Sequence, residues 1–441
     1  MKIGFVGFAD LYSFNYEAGK DEYAKSVELL KSIKDSELVS IEETITNPQM
    51  AIEANRIFLD KGIDVLIIQN STFGSGESLV RLVENLPDPI ALWGIPEPKI
   101  KNRLQFNSLC GVNLNASLLK NLGRKYKYFY AQPDEKLLRE MEDWLKVVDT
   151  IKYLRNATIG LFGYHTPGFY TFGLNELKLK KKIGPIIQHV DLSEVYSESK
   201  SIGKDQLSST LNKIKSLVDN SEEMGAEKNE LFCRTNVAFE HIVEKYNFDA
   251  VAIKCWSEFI VDYGQCVCGS LSRLVDKGIM AGCEGDILGT ITSMIQDKLS
   301  DERPFMADLV EADFDSNELV LWHCGSAPTK TAAKNINFGK TFGINGMNLE
   351  FTIKPGEVTL FRLGEIEGEY KILLAKGEVL PDREVMGGTG GVVHLNGDSK
   401  KLVDTIMYEG FEHHLGLAYG NMVDQITEFG RLLEIQTIVI D

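Results

Sequence analysis

The sequence predicts an α/β protein: two doubly wound domains with parallel sheets, then a C-terminal β-rich domain built as an antiparallel barrel with helices. Three observations lead there. At 441 residues the chain exceeds one ordinary core, since domains run to ~100–200 residues. Up to residue 302, short apolar runs alternate with segments of helical spacing, the signature of parallel βαβ units. From residue 304 to 380 the pattern becomes short alternating segments broken by Pro355-Gly356 and glycines 364 and 368, as in antiparallel sheets. Domains are therefore set at 1–155, 156–302 and 303–441.

Residues 2–8 read as a strand, 21–33 as a helix, 38–43 as a strand, and 48–61 as a helix entered through Asn47-Pro48, with proline at the first helical position. Residues 63–70 are a buried strand, 75–86 a helix, 89–95 a strand and 113–122 a helix. Ligands bind beyond the carboxyl ends of such strands, so loops 9–16, 71–76 and 94–98 are expected to face one crevice. Its aromatic residues Phe8, Tyr12, Phe73 and Trp93 are candidates for stacking on a ligand, together with Phe169 and Tyr170 of a later loop, 163–170. After a long helix at 134–156, strands follow at 157–162, 186–190, 249–255 and 279–283, with a basic helix face at 178–182. The third domain has alternating segments at 319–322, 349–353, 358–363 and 370–375. Gly387, Gly388, Gly390 and Gly391 read as a loop over a pocket, before helices at 400–409 and 421–433.

Composition removes several function classes. With 44% hydrophobic and 25% charged residues the chain is neither disordered nor fibrous. A net charge of −17 repels phosphate backbones and argues against nucleic acid. No apolar run approaches the ~18 residues of a membrane span. The first ten residues read as a buried strand and not as a signal peptide, so a cytoplasmic setting is expected. Seven cysteines, odd in number and without a CxxC pair, read as reduced structural thiols. Gly4-Phe5-Val6-Gly7 lacks the third glycine of a dinucleotide fingerprint, and no nicotinamide or flavin is expected.

The chemistry-bearing residues lie late in the chain. His323 ends an apolar strand, and His413 and His414 are adjacent. Neighbouring residues of a regular strand point in different directions, so only one of that pair is expected to address a given ion. Glu284 and Asp286 stand where a buried strand turns into a helix; Asp286 is expected to cap that helix. Asp308 follows the change of pattern. Two carboxylates and an imidazole suit Mn²⁺ or a similar divalent ion better than structural Zn²⁺.

Taken in order, Ile-Lys-Cys-Trp-Ser-Glu (253–258), Cys-Glu-Gly-Asp (283–286), Phe-Met-Ala-Asp (305–308), Trp-His-Cys-Gly (322–325) and Glu-His-His (412–414) resemble the L-fucose/L-arabinose isomerase superfamily, as does Asn-Leu-Asn (113–115). The resemblance runs over nearly the whole chain, to a short form of the fucose isomerase plan. It implies an aldose–ketose isomerase working by cis-enediol proton transfer on a small sugar. It implies Glu284, Asp308 and His414 as ligands of Mn²⁺ (or Co²⁺ or Mg²⁺), with Glu284 and Asp308 as acid and base. His323, His413 and Trp256 would then touch substrate. Glu284 and Asp308 stand 24 apart, as in the fucose branch; the arabinose branch has a ligand histidine where His323 stands. The resemblance further implies a homo-oligomer, a trimer or a hexamer, in which the N-terminal domain of one subunit borders the site of another. The competing readings are a non-catalytic sugar-binding protein of the same fold, and an isomerase of an unusual aldose, such as a 6-substituted or sulfonated one.

Overall fold

The computed structural model describes residues 1–98, 103–223, 225–339, 348–381, 383, 385 and 387–441. They form two compact units, Met1–Asp149 and Thr150–Asp441.

The first unit is one parallel sheet with helices on both faces. Its strands β1 (Lys2–Phe8), β2 (Glu37–Ser40), β3 (Val65–Asn70), β4 (Ile90–Gly94) and β5 (Tyr126–Tyr130) lie in the order β2-β1-β3-β4-β5. Period-two alternation sends Phe5, Ile67 and Trp93 to one core and Val6, Phe8, Ile68 and Leu92 to the other, which is why these strands read as continuous apolar runs. The strand order reverses between β1 and β3, where such sheets bind ligands. The loops beyond those strands meet there: the Asp10 N–H donates to Thr72 Oγ1 over 2.7 Å, and the Phe73 N–H to the Phe106 carbonyl over 3.0 Å.

The second unit begins with another parallel sheet, β6 (Thr158–Phe162), β7 (Ile186–Val190), β8 (Ala250–Ile253) and β9 (Met280–Cys283), in the order β7-β6-β8-β9. That is the winding of the first unit less one strand. The remaining strands are β10 (Phe305–Asp313), β11 (Glu318–His323), β12 (Asn337–Gly339), β13 (Asn348–Thr352), β14 (Gly356–Ile366), β15 (Glu369–Val379), β16 (Thr389–Leu395), β17 (His414–Tyr419) and β18 (Gln436–Ile440). Six of them, β16-β11-β10-β17-β14-β15, close on themselves through the β15–β16 pairing into an antiparallel barrel. The helix Ile287–Leu299 joins sheet to barrel: its Gln296 amide donates to the Thr359 and Gly416 carbonyls, both at 3.1 Å. Among the described residues no helix is long and apolar enough to cross a membrane.

Two expectations need correction. Gly390 and Gly391 are not loop residues but lie in β16. A Cβ on Gly390 would come within 2.4 Å of the Leu321 carbonyl oxygen, so glycine is what lets β16 lie against β11. Met386, which precedes this run, lies outside the described residues. The sequence reading also passed over β5, β17 and β18. Tyr126–Tyr130 is half exposed and chemically mixed, whereas β17 hides behind its opening histidine.

Candidate active site

The polar cluster of the second unit forms at the carboxyl end of β9 and on the barrel strands beside it. Glu284, buried, has a backbone φ of +62° and is followed by Gly285 at +80°. A left-handed glutamate is strained, and the surroundings hold it. A Cβ on Gly285 would lie 2.3 Å from the Tyr164 carbonyl oxygen, and the Glu284 carbonyl accepts the Thr166 N–H at 3.0 Å. Trp256 Nε1 donates to Glu284 Oε1 at 2.9 Å, and His413 Nε2 lies 3.1 Å from Oε2. Both carboxylate oxygens are thereby aimed.

Asp308 and His414 arrive from the barrel as directly opposed residues of β10 and β17. His414 Nε2 is 3.5 Å from Asp308 Oδ1 and 3.8 Å from Glu284 Oε2. Among the described residues, buried Asp308 Oδ1 and His414 Nε2 have no hydrogen-bond partner, an arrangement that costs free energy unless another group joins them. His414 Nδ1 lies 2.9 Å from Asp286 Oδ2. The carboxylate can only accept, so Nδ1 carries the proton, and in the neutral ring Nε2 presents its lone pair to the cluster.

Asp286 is the expected helix cap, accepting the Gly289 N–H at 2.8 Å. It does more than that. Fully buried Arg362 on β14 bonds it from Nη1 at 2.5 Å and Nη2 at 3.2 Å, and reaches Glu412 Oε2 from Nη2 at 3.0 Å. Burial pushes the Asp286 pKa up, but Arg362 and His414 overcome this and hold the carboxyl well below the usual carboxylate range. Burial also raises the pKa of Glu412, against the opposing charge of Arg362. The sequence reading missed Arg362, although an arginine inside the apolar run Leu-Phe-Arg-Leu is itself a signal that carboxylates wait opposite.

The two adjacent histidines both approach one carboxylate, that of Glu284. Ligand atoms of Glu284, His413 and His414 all lie within 4.8 Å of one another. His413 precedes β17 in a bend, so strand alternation does not apply to it. Burial disfavours a proton on His413, yet the bond to Glu284 and the charges of Asp308, Glu284 and Asp286 outweigh it and raise its pKa. Phe172, also missed, stacks on His414 at 5.6 Å and leans on His413 at 5.5 Å, while Phe169 meets His413 edge-on at 5.5 Å. Buried His323 belongs to a second group with Asp308 and His414. Its Nδ1 accepts the Cys324 N–H at 2.8 Å, so in the neutral ring Nε2 carries the proton and is a donor.

The aromatic candidates separate. Trp256 is half exposed beside Glu284, and Tyr170 is 83% exposed. In the first unit Tyr12 is 89% exposed and Phe73 is partly buried. Phe8 and Trp93 are completely buried in the two cores, and Trp93 Nε1 donates to the Ala131 carbonyl at 2.9 Å. Neither ring has a free face within that unit: the pleat that makes a strand residue apolar turns it into the core.

Comparison with known proteins identifies the family. Residues 12–155 match the N-terminal domain of the fucose/sulfoquinovose isomerases, and residues 321–441 the C-terminal domain of L-fucose isomerase. The chain is 30% identical to the sulfoquinovose isomerase of Priestia aryabhattai over 442 residues, covering 97% of this chain and 96% of the relative. It is 31% identical to that of Alkalicoccus urumqiensis over 385 residues, 86% of each chain. It is 26% identical to that of Clostridium sp. strain MSTE9 over 441 residues, 97% of each. With carboxylates and imidazoles converging where these relatives align, the chain belongs to the fucose/sulfoquinovose isomerase family and is an aldose–ketose sugar isomerase.

Proposed function

We propose that this isomerase acts on a sulfonated aldose of the sulfoquinovose class, with a divalent cation held by Glu284, Asp308 and His414. The observation that carries the reading is the pair of partnerless buried atoms, Asp308 Oδ1 and His414 Nε2, beside Glu284 Oε2. Two oxygens and one imidazole nitrogen suit Mn²⁺, with Co²⁺ or Mg²⁺ as substitutes. The substrate class is supported by curated sulfoquinovose isomerases that align along 97% of the chain.

A bound cation supplies Lewis-acid polarisation of the sugar carbonyl. The chain's own residues do the rest. Glu284, with Oε1 fixed by Trp256 and Oε2 by His413, takes or returns the proton that moves between C1 and C2, and Asp308 serves the other oxygen or carbon. Asp286 fixes the His414 ring with Nε2 toward the cation. His413, its pKa raised, donates to a sugar oxygen, and His323 offers Nε2–H to another. Trp256 and Tyr170 present ring faces to the sugar, while Phe169 and Phe172 keep water from the imidazoles. Tyr12 and Phe73 are the first-unit candidates for substrate selection. Seven unbridged cysteines agree with a cytoplasmic setting.

The test is a panel of aldoses with sulfoquinovose among them, assayed for ketose after metal removal and again after adding Mn²⁺, Co²⁺ or Mg²⁺. Turnover should vanish on chelation, return best with Mn²⁺ or Co²⁺, and be fastest on the sulfonated sugar. Full activity in protein shown metal-free by elemental analysis would refute the cation. Preference for an unsubstituted aldose would refute the substrate class. The family plan also supports a homo-oligomer, so light scattering is expected to find a trimer or hexamer. An active monomer would exclude shared sites.

A further inference from the structure

Residues 166–169, Thr-Pro-Gly-Phe, form a tight turn in the loop beyond the carboxyl end of β6. The Phe169 N–H donates to the Thr166 carbonyl at 3.1 Å, and Gly168 has a φ of +90°. Proline followed by glycine at the two central positions, with a positive φ at the second, is the type II pattern. Every polar group of buried Thr166 is engaged. Its N–H donates to the Glu284 carbonyl at 3.0 Å, and its hydroxyl to the Trp256 carbonyl at 3.4 Å. Its own carbonyl also accepts from His165 Nδ1 at 2.9 Å. Three chain segments of the site thus meet at one residue: the left-handed turn at Glu284, the segment of Trp256, and Phe169 with its edge on the His413 ring.

We infer that Thr166 is a positioning residue for the isomerisation: it sets Glu284 and Trp256 against each other through their backbones. The inference rests on the reading of Glu284 as the proton carrier. A glutamate at φ +62° does not keep that conformation by its own preference, so its carbonyl needs a fixed donor. The Trp256 Nε1 bond to Glu284 Oε1 lasts only while the two backbones keep their spacing. Thr166 grips one backbone with its amide and the other with its hydroxyl, so neither drifts alone. The stake is large, since a displacement of about 1 Å at a reacting group can cost ~10²-fold in rate. The turn then carries the fixed position of Thr166 on to Phe169 and so to His413. A Cβ on Gly168 would meet nothing within 4 Å among the described residues, so a side chain there is opposed by backbone conformation and not by crowding.

The test is a double-mutant cycle, run with saturating Mn²⁺ on whichever aldose the wild type turns over fastest. Thr166→Val keeps the branched shape and the backbone amide and removes only the hydroxyl. We expect kcat to fall about three- to tenfold, the worth of one hydrogen bond, with KM and bound metal nearly unchanged. Thr166→Ser, which keeps the hydroxyl, should restore kcat. In a Trp256→Phe background Thr166→Val should cost nothing further, because the indole that reads the spacing is gone. Should Thr166→Val fail to fold by circular dichroism, Gly168→Ala carries the test: it loads the turn through its backbone alone and should lower kcat in like measure. Wild-type kcat in a folded Thr166→Val or Gly168→Ala protein would overturn the role. So would a loss that Thr166→Ser does not restore, or one that adds in full to that of Trp256→Phe. An active Glu284→Gln enzyme would instead remove the premise, whereas an inactive one beside a normal Thr166→Val would strike Thr166 alone.

Discussion

Glu284→Gln is expected to lower turnover by ~10²–10⁴ while the protein keeps its fold. The substitution preserves size and leaves the side-chain oxygen that accepts from Trp256 Nε1. It replaces the other oxygen, 3.1 Å from His413 Nε2, with an amide that can neither take a proton nor bind a cation well. Bound Mn²⁺, measured by elemental analysis, should fall with turnover, since one of the three proposed ligands is lost. The melting temperature should hardly move, because the left-handed turn rests on backbone contacts to Tyr164 and Thr166. Asp308→Asn should behave alike. A folded Glu284→Gln protein with near-normal activity would end the mechanism as drawn.

Arg362→Met carries the largest expected cost in stability. The guanidinium is fully buried, and its partners Asp286 and Glu412 are 1% and 6% exposed. Removing it leaves two buried carboxylates with no cation, a change that costs about 3–5 kcal/mol. The pH dependence has a definite sign. In the wild type the Asp286 pKa is depressed. Its contribution is thus complete above the ordinary value of 3.8 and is lost as pH falls through the folded value. In the variant both carboxyl pKa values rise, so the deficit should be greatest at neutral pH and shrink on acidification. Urea denaturation at several pH values checks this, and a loss below about 1 kcal/mol at neutral pH would contradict it. Since Asp286 also fixes the His414 ring, Asp286→Asn should lose both stability and metal affinity, and not stability alone as a mere cap would.

Local pattern was enough for most of the architecture. Parallel strands buried on both faces leave unbroken apolar runs, and Lys2–Phe8, Ile186–Val190 and the helix Pro48–Lys61 fall where those patterns place them. Glu284 was legible because an acid between small residues, at the mouth of a buried strand, has few structural uses. Closure of the barrel was not legible. It depends on pairing β15 with β16, and on Gly390 lying against Leu321, contacts between segments far apart in the chain. The same holds for the groups behind the site. Nothing local tells Arg362 that its carboxylates are Asp286 and Glu412, 76 and 50 residues away. Nor does spacing reveal that Cys268, Cys283 and His323 meet. The sequence by itself determined most of the strands and helices, because periodicity and turn chemistry act over a few residues. Only the tertiary structure decided which acids and histidines share a point in space. That convergence depends on strand register and on helix packing against the barrel, and it is what aims two imidazoles at one glutamate.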